Sequence, residues 1–228
     1  MTIPRQFSLL VFDWDGTLMD SAGAIVSSIQ AACRDLGLPE ASDARARHII
    51  GLGMNEAIAE LLPQLETADY PQFTERYRHH FLGQDQEIPL FPGVHAAISG
   101  LRDAGFMLAV ATGKSRRGLD RALQHTGLGE FFQGSRCADE SFSKPHPAML
   151  LELMDEFGVA PGQTLMIGDT SHDLQMADNA GVASLAAAYG AHPKEGLQAF
   201  SPLACADSFD ELALWLTTHA ESAAAGRR

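Results

Sequence analysis

The sequence predicts a doubly wound, mainly parallel α/β sheet with an all-helical domain inserted after its first strand. Three features point to it: short, almost wholly apolar runs spaced along the chain, amphipathic helical segments between the later runs, and a long strand-free interval after the first. A run that is apolar at every position reads as a strand buried on both faces, the mark of a parallel sheet.

The first such run is Phe7 to Phe12 (F-S-L-L-V-F). Two more follow at Phe106 to Ala111 (F-M-L-A-V-A) and Thr164 to Ile167 (T-L-M-I), with a weaker one at Ala183 to Ala188. Helical periodicity fills Val94 to Ala104, Ser115 to His125, Pro147 to Phe157 and Leu174 to Ala180. Strands alternating with helices imply right-handed crossovers. Between Ser21 and Pro89 the pattern is helical throughout, over Ala22 to Leu36, Ser42 to Ile50, Asn55 to Leu62 and Tyr70 to Leu82. Turn signals separate these helices at Gly37-Leu38-Pro39, Gly51-Leu52-Gly53 and Pro63. That interval is too long for a crossover, so residues 21–89 read as an inserted cap, flanked by a core of residues 1–20 and 90–228.

Composition narrows the function. The chain has 228 residues, enough to bury a full core without disulfide or metal staples. Its net charge of −13 is the reverse of a nucleic-acid or anionic-membrane footprint, so the expected partner is a small molecule. An anionic ligand then needs a local cation. Three cysteines in no paired spacing fit free thiols and a reducing compartment. The first residues are too short and polar for a leader, and no apolar stretch is long enough to span a bilayer, so a cytoplasmic protein is expected. Residues 220–228 read as a frayed helix end or tail.

Polar clusters follow the apolar runs, where open α/β sheets bind ligands. The first is Asp13-Trp14-Asp15-Gly16-Thr17. In extended chain, residues two apart point the same way, so Asp13 and Asp15 converge on one site and call for a cation or proton. The second is Thr112-Gly113-Lys114, a hydroxyl and free N–H groups at a helix start that suit an anion, or else a simple helix cap. The third is Ser143-Lys144-Pro145-His146-Pro147, in which Lys144 is held extended by the proline after it and can project into a cleft. The fourth is Gly168-Asp169-Thr170-Ser171-His172-Asp173, with Asp169 and Asp173 four apart at a helix start. Carboxylates gathered in this number need a hard divalent ion, and Mg²⁺ suits a site of carboxylates, water and phosphate.

In this order the four clusters resemble the haloacid dehalogenase-like superfamily, in the branch of phosphoglycolate phosphatases, pyrophosphatases and β-phosphoglucomutases. The resemblance covers nearly the whole chain, and the extended opening D-W-D-G-T-L-M-D-S is typical of that branch. It implies a Rossmann-like core, Mg²⁺, and hydrolysis of a small phosphorylated metabolite through an aspartyl-phosphate. By it, Asp13 is the nucleophile and Asp15 the general acid and base. Thr112 and the Gly113 N–H hold phosphoryl oxygens, and Lys144 neutralises nucleophile and phosphate. Asp13, Asp15 (through its carbonyl), Asp169 and Asp173 surround the metal, Asp173 directly or through a partner. The Asp at position 15 separates the chain from dehalogenases and phosphonatases. Trp14 stands where the family more often has Phe and is expected to pack behind the loop.

Gly51, in the turn Ile50 to Asn55, resembles the cap loop that dips toward the site and is expected near substrate. Arg45, Arg47, Arg76, Arg78, Arg116 and Arg117 are candidate partners for a substrate carboxylate, or solvated cations. Met54, Phe73 and Phe81 are expected in the core, and His146 in a structural or exposed place. The motifs leave a phosphosugar mutase, a pyrophosphatase and a non-catalytic module open beside the phosphatase. Monomer or weak homodimer is the expected assembly. Closure of the cap predicts hinge strands near residues 18–22 and 88–92.

Overall fold

The computed structural model describes residues 7–219; the expectations placed on residues 1–6 and 220–228 lie outside them. Six parallel strands form one sheet: β1 (Leu9–Phe12), β2 (Met107–Thr112), β3 (Gly134–Cys137), β4 (Thr164–Gly168), β5 (Ala183–Ala187) and β6 (Cys205–Ala206). Their order is β3-β2-β1-β4-β5-β6. The chain winds outward from β1 to one side, then returns to start β4 on the other. A crevice opens at such a reversal, beyond the carboxyl ends of the central strands. Phe12 pairs with Val110 and with Ile167, so β1, β2 and β4 deliver their following residues to the same level.

The period-2 alternation of strands explains both layers. Leu10, Phe12, Leu108, Val110, Leu165 and Ile167 face one side. There they meet Val94, Ile98 and Leu101 of α5 (Val94–Asp103), Leu119 of α6 (Arg116–Thr126), and Phe209, Leu212 and Leu216 of α10 (Phe209–His219). Leu9, Val11, Ala109, Ala111 and Met166 face the other. They meet Met149, Leu150 and Leu153 of α7 (Ala148–Phe157) and Met176 and Ala177 of α8 (Ser171–Asn179). The short α9 (Lys194–Gln198) closes the β5 side through Leu197.

Between β1 and β2 run four helices: α1 (Ala22–Asp35), α2 (Asp43–His48), α3 (Met54–Leu61) and α4 (Tyr70–Leu82). They pack around an apolar cluster that includes Ile25, Ile29, Cys33, Ile50, Ile58, Leu61 and Phe73, and that takes in Ala191 from the sheet side. The chain leaves the sheet and returns to it side by side. Met19 and Leu90 form one antiparallel bridge, the Asp20 N–H donates to the Pro89 carbonyl (3.0 Å) and the Phe91 N–H to the Leu18 carbonyl (3.0 Å). The connection is thus a single bridge where two hinge strands are expected.

One further departure has a clear cause, and one of the two readings of Thr112 falls away. Helix α8 begins at Ser171, ahead of the expected Leu174, because the Thr170 hydroxyl accepts the Asp173 N–H while the Asp173 carboxylate accepts the Thr170 N–H. At the start of α6 the cap is Ser115, whose hydroxyl accepts the Gly118 N–H at 3.3 Å, so Thr112 is not a helix cap.

Candidate active site

Asp13 follows β1 directly, and its N–H donates to the Ile167 carbonyl of β4 at 2.8 Å. This bond fixes the start of the loop at the reversal point of the sheet. Asp13 Oδ1 accepts the Trp14 N–H at 2.6 Å and lies 2.8 Å from Lys144 Nζ. Three residues on, Gly16 turns the chain at φ +79°, and a side chain there would also run into the Asp169 carboxylate. Trp14 is fully buried, edge-on to Phe132, with its indole N–H toward Met19 Sδ at 3.4 Å.

Asp169 follows β4. Its Oδ1 accepts the Thr17 hydroxyl at 2.8 Å and its Oδ2 the Ala191 N–H at 2.7 Å. Asp173 spends Oδ2 on the capping box of α8, at 2.6 Å from the Thr170 hydroxyl, and turns Oδ1 to Lys144 Nζ at 2.6 Å. Asp13, Asp169 and Asp173 are all buried, and each offers an oxygen within 4.8 Å of the others. Lys144 is buried with them. One ammonium against three carboxylates leaves two negative charges uncompensated.

The protonation equilibria register that excess. Burial, then the Asp173 charge, pushes the Asp13 carboxyl well above the ordinary carboxylate range, with Lys144 pulling it back. Burial and Asp173 push Asp169 up to about 7, against the Ala191 and Thr17 hydrogen bonds. Burial works to lower Lys144, but Asp13 and Asp173 together hold it above its ordinary value. Asp13 Oδ2 is buried and accepts no hydrogen bond. An all-oxygen donor set, an unsatisfied carboxylate oxygen and two uncompensated charges fit a small, hard dication.

Asp15 has a different setting. Its carboxylate is not part of the acidic trio. Oδ1 instead accepts the Ser21 hydroxyl at 2.6 Å and pairs with Lys114 Nζ at 3.0 Å. It borders a cavity of about 570 Å³ between the helical insertion and the sheet. Lys114 reaches across that cavity, 4.9 Å from the Phe81 ring of α4. Tyr77 stacks on Phe81, and burial, then the Asp15 charge, raises its phenol above the ordinary value.

The turn after α2 completes the roof. Gly51 sits at φ +92°, and a Cβ there would lie 3.2 Å from Thr170 Oγ1 and 3.7 Å from Asp13 Oδ2. The Gly53 N–H donates to Ser143 Oγ at 2.7 Å. Gly113 packs so closely under the Gly51 and Leu52 carbonyls that a side chain has no room. Thr112 is buried at the end of β2, its hydroxyl accepting the Lys114 N–H at 3.2 Å.

The structure therefore brings Asp13, Lys144, Asp169 and Asp173 into one cluster, with Gly51 above it and Asp15 beside it in the cavity. Of the candidate cations, Arg45 donates to the Leu61 carbonyl, Arg76 pairs with Glu75, and Arg116 is held by Asp120, Glu140 and Ser135. Arg78 and Arg117 line the cavity. Phe73 is buried, Met54 packs against the insertion core, and Phe81 shares its ring with the cavity wall. His146 is exposed, its Nδ1 accepting the Ala148 N–H. Thr17, Ser21 and Lys114 stand inside the motifs, but their pairing, Lys114 and Ser21 with Asp15 and Thr17 with Asp169, had no sequence signal, and neither did Ala191 on Asp169. Their roles depend on segments that meet only in three dimensions. Among the described residues, no helix is long and apolar enough to cross a membrane.

Comparison with known proteins gives the family and the fold. Residues 10–187 match the family model described as haloacid dehalogenase-like hydrolase. A Dickeya dadantii protein named Probable phosphatase IndB is 36% identical over 210 residues, covering 90% of this chain and 91% of that one. A phosphoglycolate phosphatase of Vibrio vulnificus is 31% identical over 223 residues, 91% of this chain and 95% of its own. The crystal structure of a predicted phosphoglycolate phosphatase from Haemophilus somnus superposes with a TM-score of 0.80 at 28% identity, over 93% of this chain and 99% of the other. A hydrolase from Pseudomonas syringae shares the fold at a TM-score of 0.85 and 20% identity, over 93% and 98% of the two chains.

Proposed function

This chain belongs to the haloacid dehalogenase-like hydrolases and is a phosphatase, and we propose that it hydrolyses a small, phosphoglycolate-like metabolite through a phosphorylated Asp13. The observation that carries the proposal is the contrast between two aspartates two residues apart. Asp13 lies in the buried cluster with one oxygen free of hydrogen bonds, whereas Asp15 faces the cavity between a hydroxyl and an ammonium. Carboxylates in unlike settings can take unlike roles.

Asp13 attacks phosphorus, and the bond from phosphorus to the leaving oxygen breaks. Asp15 serves as the general acid that gives a proton to that oxygen. It then takes a proton from water, whose oxygen attacks phosphorus, breaks the bond to Asp13 and releases inorganic phosphate. Lys144 holds Asp13 in place and offsets the charge of the transferring group. Thr112 and the Gly113 N–H orient phosphoryl oxygens. Asp13, Asp169 and Asp173, with the Asp15 carbonyl, would hold Mg²⁺, which supplies positive charge against the phosphoryl oxygens. Residues 21–89 serve as the cap that selects the leaving group, and the partner is a small molecule rather than nucleic acid or membrane. Cytoplasmic location and a monomer or weak homodimer complete the reading.

The test is release of inorganic phosphate from a panel of small phosphate esters, with Mg²⁺ and with EDTA. Mg²⁺-dependent release that Asp13→Asn abolishes, and Asp15→Asn lowers by about two to four orders of magnitude, is the expected result. Full turnover by Asp13→Asn would overturn the mechanism.

A further inference from the structure

The carbonyl oxygen of His48, the last residue of α2, lies between two imidazoles of the sheet domain. His172 Nε2 is 2.7 Å from it and His192 Nε2 3.0 Å. A carbonyl oxygen only accepts, so both rings carry a proton on Nε2. For His192 the second nitrogen agrees, since Nδ1 accepts the Ser171 N–H at 3.0 Å. The His48 ring stacks on the His192 ring at 5.1 Å and 11° and tilts against His172 at 5.5 Å. A helix end leaves its last carbonyls without partners in the helix. Here the partners come from two separate segments of the sheet domain.

Each anchor is a sequence neighbour of the acidic cluster or bonds to it. His172 precedes Asp173 on α8. The His192 N–H donates to the Asp169 carbonyl at 3.3 Å, and Ala191 before it to the Asp169 carboxylate. At the far end of the roof loop, the Gly53 N–H donates to Ser143 Oγ, and Ser143 precedes Lys144. The loop between these anchors carries Gly51 over Asp13 and Thr170. We propose that His172, His192 and Ser143 are positioning residues that pin residues 49–53 over Asp13, registering the roof of the cavity to the residues beside the acidic cluster. None of the three touches the reacting atoms. They act through the loop, by keeping bulk water from Asp13 and holding the leaving-group wall in place. The kinetic half of this proposal rests on the phosphatase reading; the structural half does not.

Amide hydrogen exchange at residues 49–53 and steady-state hydrolysis of p-nitrophenyl phosphate, both on the full chain, test it. His172→Leu removes one donor and Ser143→Ala removes the acceptor of the Gly53 N–H. Each is expected to speed exchange in the loop about three- to tenfold and to raise KM by a similar factor, with kcat changed less, the size one neutral hydrogen bond supports. His172→Gln, which keeps an N–H donor, is expected to restore both. Loop exchange equal to wild type in both His172→Leu and Ser143→Ala overturns the proposal, as does His172→Gln behaving like His172→Leu. Should His172→Leu fail to fold, Ser143→Ala and His192→Leu decide by the same readouts. Faster loop exchange in a protein whose wild type releases no phosphate would support the pinned loop and sink the phosphatase reading.

Discussion

Replacing Lys144 with methionine removes the buried ammonium that stands 2.8 Å from Asp13 and 2.6 Å from Asp173, while keeping most of the apolar stem. Breaking a buried ion pair by removing one partner costs about 3–5 kcal/mol, because the other charge stays buried without compensation. Here the carboxylates have an escape, since burial already raises Asp13 and carries Asp169 to about 7. Without Lys144 their folded-state values rise further above those of the unfolded chain. A carboxyl raised in this way contributes its stability below the unfolded value, near 4, and loses it as pH rises through the folded value. The deficit of the variant therefore grows with pH. In EDTA it should be about 1–2 kcal/mol at pH 5, where the cluster takes up protons, and about 3–5 kcal/mol at pH 8. For a chain of this size the larger figure lowers Tm by about 6–20 °C. Urea unfolding of wild type and variant at the two pH values measures the difference. A loss below about 1 kcal/mol at pH 8, or the same loss at both, would refute the view that Lys144 neutralises this cluster.

Two other outcomes follow from the same geometry. Because Asp169 must lose a proton near pH 7 before it can ligate, the affinity for Mg²⁺ should rise between pH 6 and 8, by up to about tenfold per pH unit below 7. Calorimetric titration at fixed ionic strength checks this, and a flat profile would count against Asp169 as a ligand. Gly51→Val forces a branched side chain into φ +92° and toward Thr170 Oγ1, so KM should rise about tenfold, with about 1–3 kcal/mol lost in stability. Unchanged kinetics in that variant would place substrate away from the loop.

Legibility in the sequence follows burial. The central strands β1, β2 and β4 are buried on both faces, and a doubly buried strand writes itself as an unbroken apolar run. The edge strands lack that signature. β3 reads G-S-R-C and is only partly buried, and β6 has two residues, so neither offers a periodicity. Helix α10 does carry one, with Phe209, Leu212 and Leu216 on a single face, but it follows a strand too short to announce it. At the site, Asp13, Lys144, Asp169 and Asp173 are legible because each follows or precedes a recognisable element at a fixed offset. The contacts of Lys114, Ser21, Thr17, Ala191 and the two histidines on His48 are not, although Thr17, Ser21, Lys114 and His172 stand inside the motifs. Their partners stand between six and 152 residues away, and no local pattern encodes a meeting over that separation except through the finished fold.

The single bridge between Met19 and Leu90 has a consequence for how the molecule is assembled. Because the chain exits and re-enters the sheet at neighbouring points, Leu18 and Phe91 are already hydrogen-bonded across the gap. For a flexible excursion between them, pairing β1 with β2 costs a closure entropy that grows only with the logarithm of its length. The insertion gathers most of its apolar side chains into one cluster, to which the sheet side adds Ala191. The strand order and the acidic cluster at its reversal are built from residues outside the insertion, which touches them through the two points of exit and return and through the roof loop.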